Sequence, residues 1–104
     1  MSRILLTGFE PFGGEAVNSS WEIARLLDGV DGIRAAALPC RFAHSLAALD
    51  AALARSRPTL VLALGQAASR PQLSFERVAL NWVDARIADN DGQQPVDAPV
   101  LAGA

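Results

Sequence analysis

The chain has 104 residues, of which 51% are apolar, and a formal net charge of −2. This length and composition predict one small folded domain with a hydrophobic core and exclude a disordered tail. All nine basic residues are arginines that stand singly along the sequence, so no basic patch indicates binding to nucleic acid or to an anionic membrane.

One cysteine and one histidine are too few for an intrachain disulfide or a structural zinc site, and we expect neither a metal nor another cofactor. The apolar run near the N-terminus is too short for a signal peptide, and no stretch approaches the ~20 apolar residues of a membrane span. We therefore expect a cytoplasmic protein.

The first predicted element is a strand over Arg3 to Thr7, a short apolar run typical of buried parallel strands. It leads into the segment Thr7 to Gly14 (TGFEPFGG), which places two phenylalanines among three glycines and one proline. Glycine and proline together can hold a loop in one unusual shape. The phenylalanines either return to the core or present flat apolar faces to a ligand, and composition leaves both interpretations open.

Helical signals follow the loop. Asn18 and Ser19 are good N-caps, and apolar residues then repeat at helical spacing until Asp28-Gly29. A second strand is predicted over Val30 to Leu38, where Pro39 stops it.

A second helix and a third strand follow. A leucine stripe over His44 to Arg55 predicts a second helix, and Pro58 ends it. The apolar run Thr59 to Leu64 predicts a third strand that ends at Gly65.

This alternation of strands and helices predicts an α/β fold with right-handed crossovers and a mostly parallel, twisted sheet. If the first strand is central, the two helices lie on opposite faces. One helix per face leaves a sheet of three or more strands partly uncovered, although parallel sheets are normally covered on both faces. We therefore expect residues 1–104 to be the N-terminal portion of a single larger domain.

The chain beyond Gly65 has a different character. Leu73 to Trp82 is strand-like but lacks clean alternation, Asp89 to Gly92 is a turn, and Pro95 to Ala104 has no helical pattern. These signals predict no further helix.

The glycine-rich loop is a poor phosphate cradle, even though backbone amides at a helix N-terminus bind anions. It contains neither nucleotide-binding fingerprint, the chain has no lysine, and Glu10 and Glu15 would repel a phosphate. An apolar ring is the better candidate ligand for Phe9 and Phe12.

Cys40 and His44 form a tempting nucleophile and base. Catalytic Cys and His usually come from distant segments, however, so closeness in sequence is no evidence of pairing. We interpret Cys40 as a small lining residue and His44 as a surface residue.

Glu76 and Arg86 each have two interpretations. Glu76 lies between Phe75 and Arg77, where a carboxylate can be held to orient a histidine, or can be an exposed strand residue paired with an arginine. Arg86 can neutralise developing charge or pair with a nearby aspartate.

The chain resembles the pyrrolidone-carboxylate peptidases, the type I pyroglutamyl peptidases, along nearly all of its length. The segments that carry the resemblance are TGFEPFGG (7–14), Asn18, Gly65-Gln66, FERVALN (75–81) and VDARIADN (83–90). Family members are cysteine peptidases with a three-layer α/β/α fold that remove an N-terminal 5-oxoproline from peptides. They commonly form homotetramers.

The resemblance implies roles for seven residues. Glu76 matches the acid of a Cys, His and Glu triad, which orients the histidine. The positions implied to bind substrate are Phe9 and Phe12 (around the lactam ring), Asn18 (holding the loop), Gln66 (beside the pocket), Arg86 (near the reacting carbonyl) and Ile87 (an apolar neighbour).

The departure from the family pattern is large, because the family's nucleophile and histidine follow this region in a C-terminal half that the chain does not contain. An orienting acid without nucleophile and base cannot run the reaction. We therefore expect the chain to need the missing half as a partner, in addition to N-terminal pyroglutamyl peptides. Two alternatives stay open: a non-catalytic remnant that binds a small apolar cap, and an α/β module that binds nucleotide or phosphate.

Overall fold

Three strands and two helices alternate along the chain in the computed structural model, which describes residues 3–67 and 69–103. The elements are β1 (Ile4–Phe9), α1 (Ser19–Leu27), β2 (Ile33–Leu38), α2 (Ser45–Ser56) and β3 (Leu60–Ala63). The predicted order of elements is confirmed. Neither helix in the described ranges is long and apolar enough to cross a membrane.

The sheet is parallel and has the strand order β2-β1-β3, so the first strand is central, the arrangement that the sequence left as a condition. Side chains alternate between the two faces of a strand. Gly8 faces the backbone of α1, whereas Leu5, three residues earlier, lines a cavity together with Ala52 of α2. The two helices therefore cover opposite faces of the sheet, which gives the three-layer α/β arrangement.

The buried core is small and lies between β1 and the two helices. It consists of Leu5, Leu6, Ala24, Leu38 and Ala52, with the buried polar residues Thr7, Asn18 and Ser20 beside it. All four residues of β3 are exposed. Because no described element packs over β3, burial is confined to β1, β2 and the two helices.

Two strand boundaries differ from the prediction by two residues or more. β1 continues two residues beyond Thr7, because Gly8 and Phe9 pair with the end of β2. β2 begins at Ile33 rather than Val30, since Asp31 and Gly32 have positive φ and form a turn that a strand cannot contain.

The segment Leu73 to Trp82, which is strand-like in sequence but lacks clean alternation, forms no strand. Leu73 is 96% exposed and Phe75 is 91% exposed. The apolar residues there meet no neighbouring strand in the described part of the chain, and without a pairing partner an extended segment gains no ladder hydrogen bonds.

Candidate functional site

The glycine-rich loop is tied to the start of α1 through two buried side chains. Asn18 is 2% exposed, and its Oδ1 accepts hydrogen bonds from Ser20 N at 3.0 Å and Ser20 Oγ at 2.6 Å. Its Nδ2 donates to the carbonyl oxygen of Glu10 at 3.3 Å, and Ser20 Oγ accepts from Phe9 N at 2.9 Å. Asn18 therefore caps the helix and also holds the loop.

A second segment, 83–98, folds back on itself and lies beside the loop. Its ends are joined by backbone hydrogen bonds in both directions between Val83 and Ala98, at 2.7 and 3.0 Å. Its predicted turn is present, and there the Asp89 carboxylate accepts backbone hydrogen bonds from Asp91 and Gln93, both at 2.8 Å. This arrangement fixes the segment that carries Arg86 and Ile87.

The loop and the 83–98 segment lie close to each other at Gly13. Gly13 has a φ of +64°, and a Cβ added there would lie 3.8 Å from Ile87 Cδ1. The third contributor is the end of β3, where Gln66 Oε1 accepts a hydrogen bond from Ser19 N at 2.7 Å. Three segments that are distant in sequence thus meet at the carboxyl ends of parallel strands, where open α/β sheets bind ligands.

A cavity of about 520 Å³ lies between these segments. Its walls include all six residues to which the resemblance assigned substrate binding: Phe9, Phe12, Asn18, Gln66, Arg86 and Ile87. The structure brings them together, and whether they bind substrate stays a prediction. Aromatic and aliphatic walls with a few polar groups are typical of small-molecule sites.

Arg86 lines the cavity, and no described carboxylate forms an ion pair with its guanidinium. Neither of the aspartates that could pair with it does so: Asp84 accepts from Asp97 N at 3.2 Å, and Asp89 is occupied by backbone N–H groups. Among the described residues Arg86 has no ion pair. Its guanidinium is therefore available to an oxygen of a ligand.

Cys40 lines the cavity but is not activated as a nucleophile. Its Sγ donates to the carbonyl oxygen of Glu10 at 3.0 Å. Burial raises the pKa of the Cys40 thiol, and the negative charges of Glu10 and Asp89 raise it further, which disfavours the reactive thiolate. His44 is exposed and faces Asp91 at 3.7 Å, so cysteine and histidine have different partners.

Glu76 lies outside the cavity lining. Its side chain is 74% exposed and pairs with Arg70 Nη1 at 2.9 Å. This is the exposed, arginine-paired environment that the second interpretation describes, although no strand contains it. Its catalytic role stays a prediction.

Glu10 is the residue at this site whose position the sequence did not reveal. Its carboxylate links the loop to the segment after β2 and to the 89–92 turn. The available signal was a single carboxylate inside an otherwise apolar, glycine- and proline-rich loop. Within residues 3–67 and 69–103 there is no group of three His, Cys, Asp or Glu side chains that could hold a metal ion.

Comparisons with known proteins cover nearly the whole chain. The sequence profile of the family described as pyroglutamyl peptidase matches residues 2–104. The chain belongs to the pyroglutamyl peptidase family. It is 52% identical over 107 residues to the pyrrolidone-carboxylate peptidase of Klebsiella pneumoniae (strain 342), and the match covers 99% of this chain and 50% of that protein.

Solved structures of the family agree in fold. Pyroglutamyl peptidase I of Bacillus amyloliquefaciens superposes with a TM-score of 0.96 at 42% identity, covering 100% of this chain and 52% of that one. A mutant pyrrolidone carboxyl peptidase from Pyrococcus furiosus gives a TM-score of 0.90 at 39% identity, covering 98% and 51%. The chain thus spans about half the length of the family members that it matches.

Proposed function

We propose that this chain is the substrate-binding portion of a pyroglutamyl peptidase, a cysteine peptidase that hydrolyses N-terminal 5-oxoproline from peptides. The observation that carries the proposal is the cavity at the carboxyl ends of the strands, which Phe9 and Phe12 line together with Arg86, a residue without an ion pair among the described residues. A 5-oxoproline residue has a small, flat ring with apolar faces and a polar lactam edge. The aromatic walls suit the ring faces, and the polar wall groups suit its carbonyl oxygens.

In this proposal residues 1–104 form the N-terminal portion of a single domain that the second half completes. The nucleophilic cysteine and the histidine come from that second half. The thiolate attacks the acyl carbon, the histidine returns a proton to the leaving amine, and water then hydrolyses the thioester to release 5-oxoproline and the free thiol. Glu76 orients the histidine. Its exposed carboxylate is accessible to a side chain from outside the described residues. A homotetramer, which the resemblance implies, and a cytoplasmic location belong to the same proposal.

The test is reconstitution of activity from two halves. The chain is mixed with the C-terminal half of the Klebsiella pneumoniae relative, and release of a fluorophore from a pyroglutamyl amide is followed, with an alanyl amide as the substrate control. We expect turnover of the pyroglutamyl amide by the mixture and by neither half alone. Glu76→Gln should reduce turnover by about 10²-fold, the scale on which acid–base catalysis contributes.

Two outcomes contradict parts of the proposal. Turnover by the mass-verified chain alone would show that these 104 residues hold a complete catalytic centre. No turnover by a mixture that sedimentation shows to be associated would reject the peptidase function.

A non-catalytic binding function is the second candidate, because this chain supplies both aromatic and polar walls of the cavity. Calorimetric titration of the chain with 5-oxoproline distinguishes the two. Binding of 5-oxoproline by the chain, with no turnover in the reconstituted mixture, would favour the non-catalytic function.

A further inference from the structure

Glu10 lies between the two phenylalanines of the loop, and one oxygen of its carboxylate accepts hydrogen bonds from three different groups. The donors to Oε1 are Cys40 N at 3.0 Å, Arg41 Nε at 3.2 Å and Asn90 Nδ2 at 3.0 Å. Two of these donors follow β2, and the third belongs to the 89–92 turn. One carboxylate oxygen therefore joins the loop, the Cys40–Arg41 segment and the 89–92 turn.

The main chain of Glu10 is held as well. Its N–H donates to the Leu38 carbonyl oxygen at 3.0 Å, and its own carbonyl oxygen accepts from Cys40 Sγ and Asn18 Nδ2. Asn90 Nδ2 also donates to the carbonyl oxygen of Pro11 at 2.9 Å. The backbone between Phe9 and Phe12 is thereby fixed at two consecutive residues.

Charge reinforces this arrangement. Arg41 lies between two carboxylates, with Nε at 3.2 Å from Glu10 and Nη1 at 2.5 Å from Asp91. Hydrogen bonds to an ionised group are about twice as strong as those between neutral groups. The three-way contact therefore depends on the negative charge of Glu10 and not only on its size.

We propose that Glu10 is a positioning residue whose carboxylate holds the loop against the Cys40–Arg41 segment and the 89–92 turn, and so sets the affinity of the cavity for the lactam ring. The statement about affinity rests on the proposed function. The statement about the loop rests only on the contacts of Glu10, and the two can be tested separately.

The first experiment measures access to Cys40, the single cysteine of the chain. Its thiol touches the Glu10 backbone and lines the cavity, so a loosened loop exposes it. Alkylation of the chain by iodoacetamide is followed by intact mass across a range of pH. The variants are Glu10→Gln, which keeps the size but removes the charge, Glu10→Ala, and the matched control Glu15→Gln directly after the loop.

The pH range separates two effects of removing the charge. Loss of the negative charge lowers the pH at which the thiol ionises, whereas loosening raises the rate on the alkaline plateau, where the thiol is already ionised. We expect the plateau rate to rise by about 5-fold or more for Glu10→Gln, a change that corresponds to losing about one hydrogen bond. Glu15→Gln should stay within about 2-fold of the parent chain, because Glu15 is exposed and no described side chain pairs with it.

The second experiment uses the reconstituted enzyme and separates binding from chemistry. We expect Glu10→Gln to raise KM for the pyroglutamyl amide about 10-fold with kcat within about 3-fold, because Glu10 orients the ring walls and touches no reacting atom. In the parent chain, slower alkylation of Cys40 in the presence of 5-oxoproline reports ligand binding without turnover.

The outcomes are distinct. A plateau rate for Glu10→Gln equal to that of Glu15→Gln overturns the positioning role, and so does failure of both Glu10 variants to fold by far-UV circular dichroism, which would make the role purely structural. Equal losses in kcat and kcat/KM for Glu10→Gln also overturn the positioning role. A raised plateau rate in a chain that 5-oxoproline does not protect would support the loop contacts and reject the proposed ligand.

Discussion

At the scale of single residues, side chains in this protein serve a helix and a loop at once. Asn18 accepts hydrogen bonds from Ser20 as a helix cap and donates to the Glu10 carbonyl oxygen. The cap was among the predicted candidates because asparagine is a preferred N-cap residue before an apolar helical repeat. The bond to Glu10 was not, since it depends on how the loop folds back.

The acidic residues of the site make its stability depend on pH. The hydrogen bond from Asn90 is the largest cause that lowers the pKa of Glu10, and contacts from Cys40 and Arg41 add to it. Burial raises the pKa of Asp89, but three backbone N–H groups outweigh it, so the net shift is again downward. Both carboxylates are therefore easier to ionise in the folded chain than in the unfolded chain.

Lowered pKa values place the loss of stability on the acid side. The contribution is fully present above the ordinary carboxyl values of about 3.9 to 4.3 and disappears as pH falls through the lower folded values. We expect the urea midpoint to be flat from about pH 6 to 8 and to fall below about pH 4. Glu10→Gln should reduce this acid-side slope. A slope unchanged by that substitution, measured by circular dichroism, would show that Glu10 does not contribute to it.

At the scale of elements, the packing of α1 on β1 depends on one glycine. A Cβ added at Gly8 would lie 2.7 Å from Ser20 C, Ser20 O and Trp21 Cα. All three are backbone atoms, which cannot rotate away. The strand and the helix can approach this closely only because residue 8 has no side chain.

Substitution of Gly8 by alanine should therefore be costly. We expect Gly8→Ala to lower the free energy of unfolding by about 1–3 kcal/mol or more, the range for overpacked sites. Gly65→Ala is the matched control, because nothing lies within 4 Å of its added Cβ and its φ is not positive. Urea unfolding at one fixed protein concentration measures both. Equal midpoints for the two variants would mean that α1 shifts without loss.

At the scale of the whole molecule, β3 is the least covered part of the sheet. Leu60, Val61 and Leu62 are 56%, 42% and 45% exposed, although they form an apolar strand that pairs in parallel with β1. Parallel strands normally lie buried on both faces. Exposed apolar edges of this kind promote association between copies.

We expect the isolated chain to self-associate through this edge. Sedimentation velocity should show a mean mass that rises with concentration, and Leu62→Lys should reduce that rise, because a lysine at a sheet edge opposes further pairing. Leu26→Lys is the control, since Leu26 is apolar and exposed but lies on α1. A sharp monomer at all concentrations, or equal effects of the two substitutions, would contradict this account.

Periodicity and turn chemistry predicted the order of the five elements, because apolar runs, caps, glycines and prolines act over a few residues. The central position of β1 was left as a condition, and the sheet pairing decided it. The strand-like segment at 73–82 shows the limit of local signals. An extended conformation is stabilised by a neighbouring strand, and the sequence does not reveal whether one is present.

The sequence by itself determined the alternating α/β pattern, two candidate helix caps at Asn18 and Ser19 and, through resemblance, the family and the six cavity residues. Only the tertiary structure decided that Cys40 lies against the Glu10 backbone, that Arg86 has no ion pair among the described residues, and that Glu10 joins three segments. The physical reason is distance along the chain. Glu10 and Asn90 are eighty residues apart, and contacts at that separation follow from the closure of the fold rather than from any local preference.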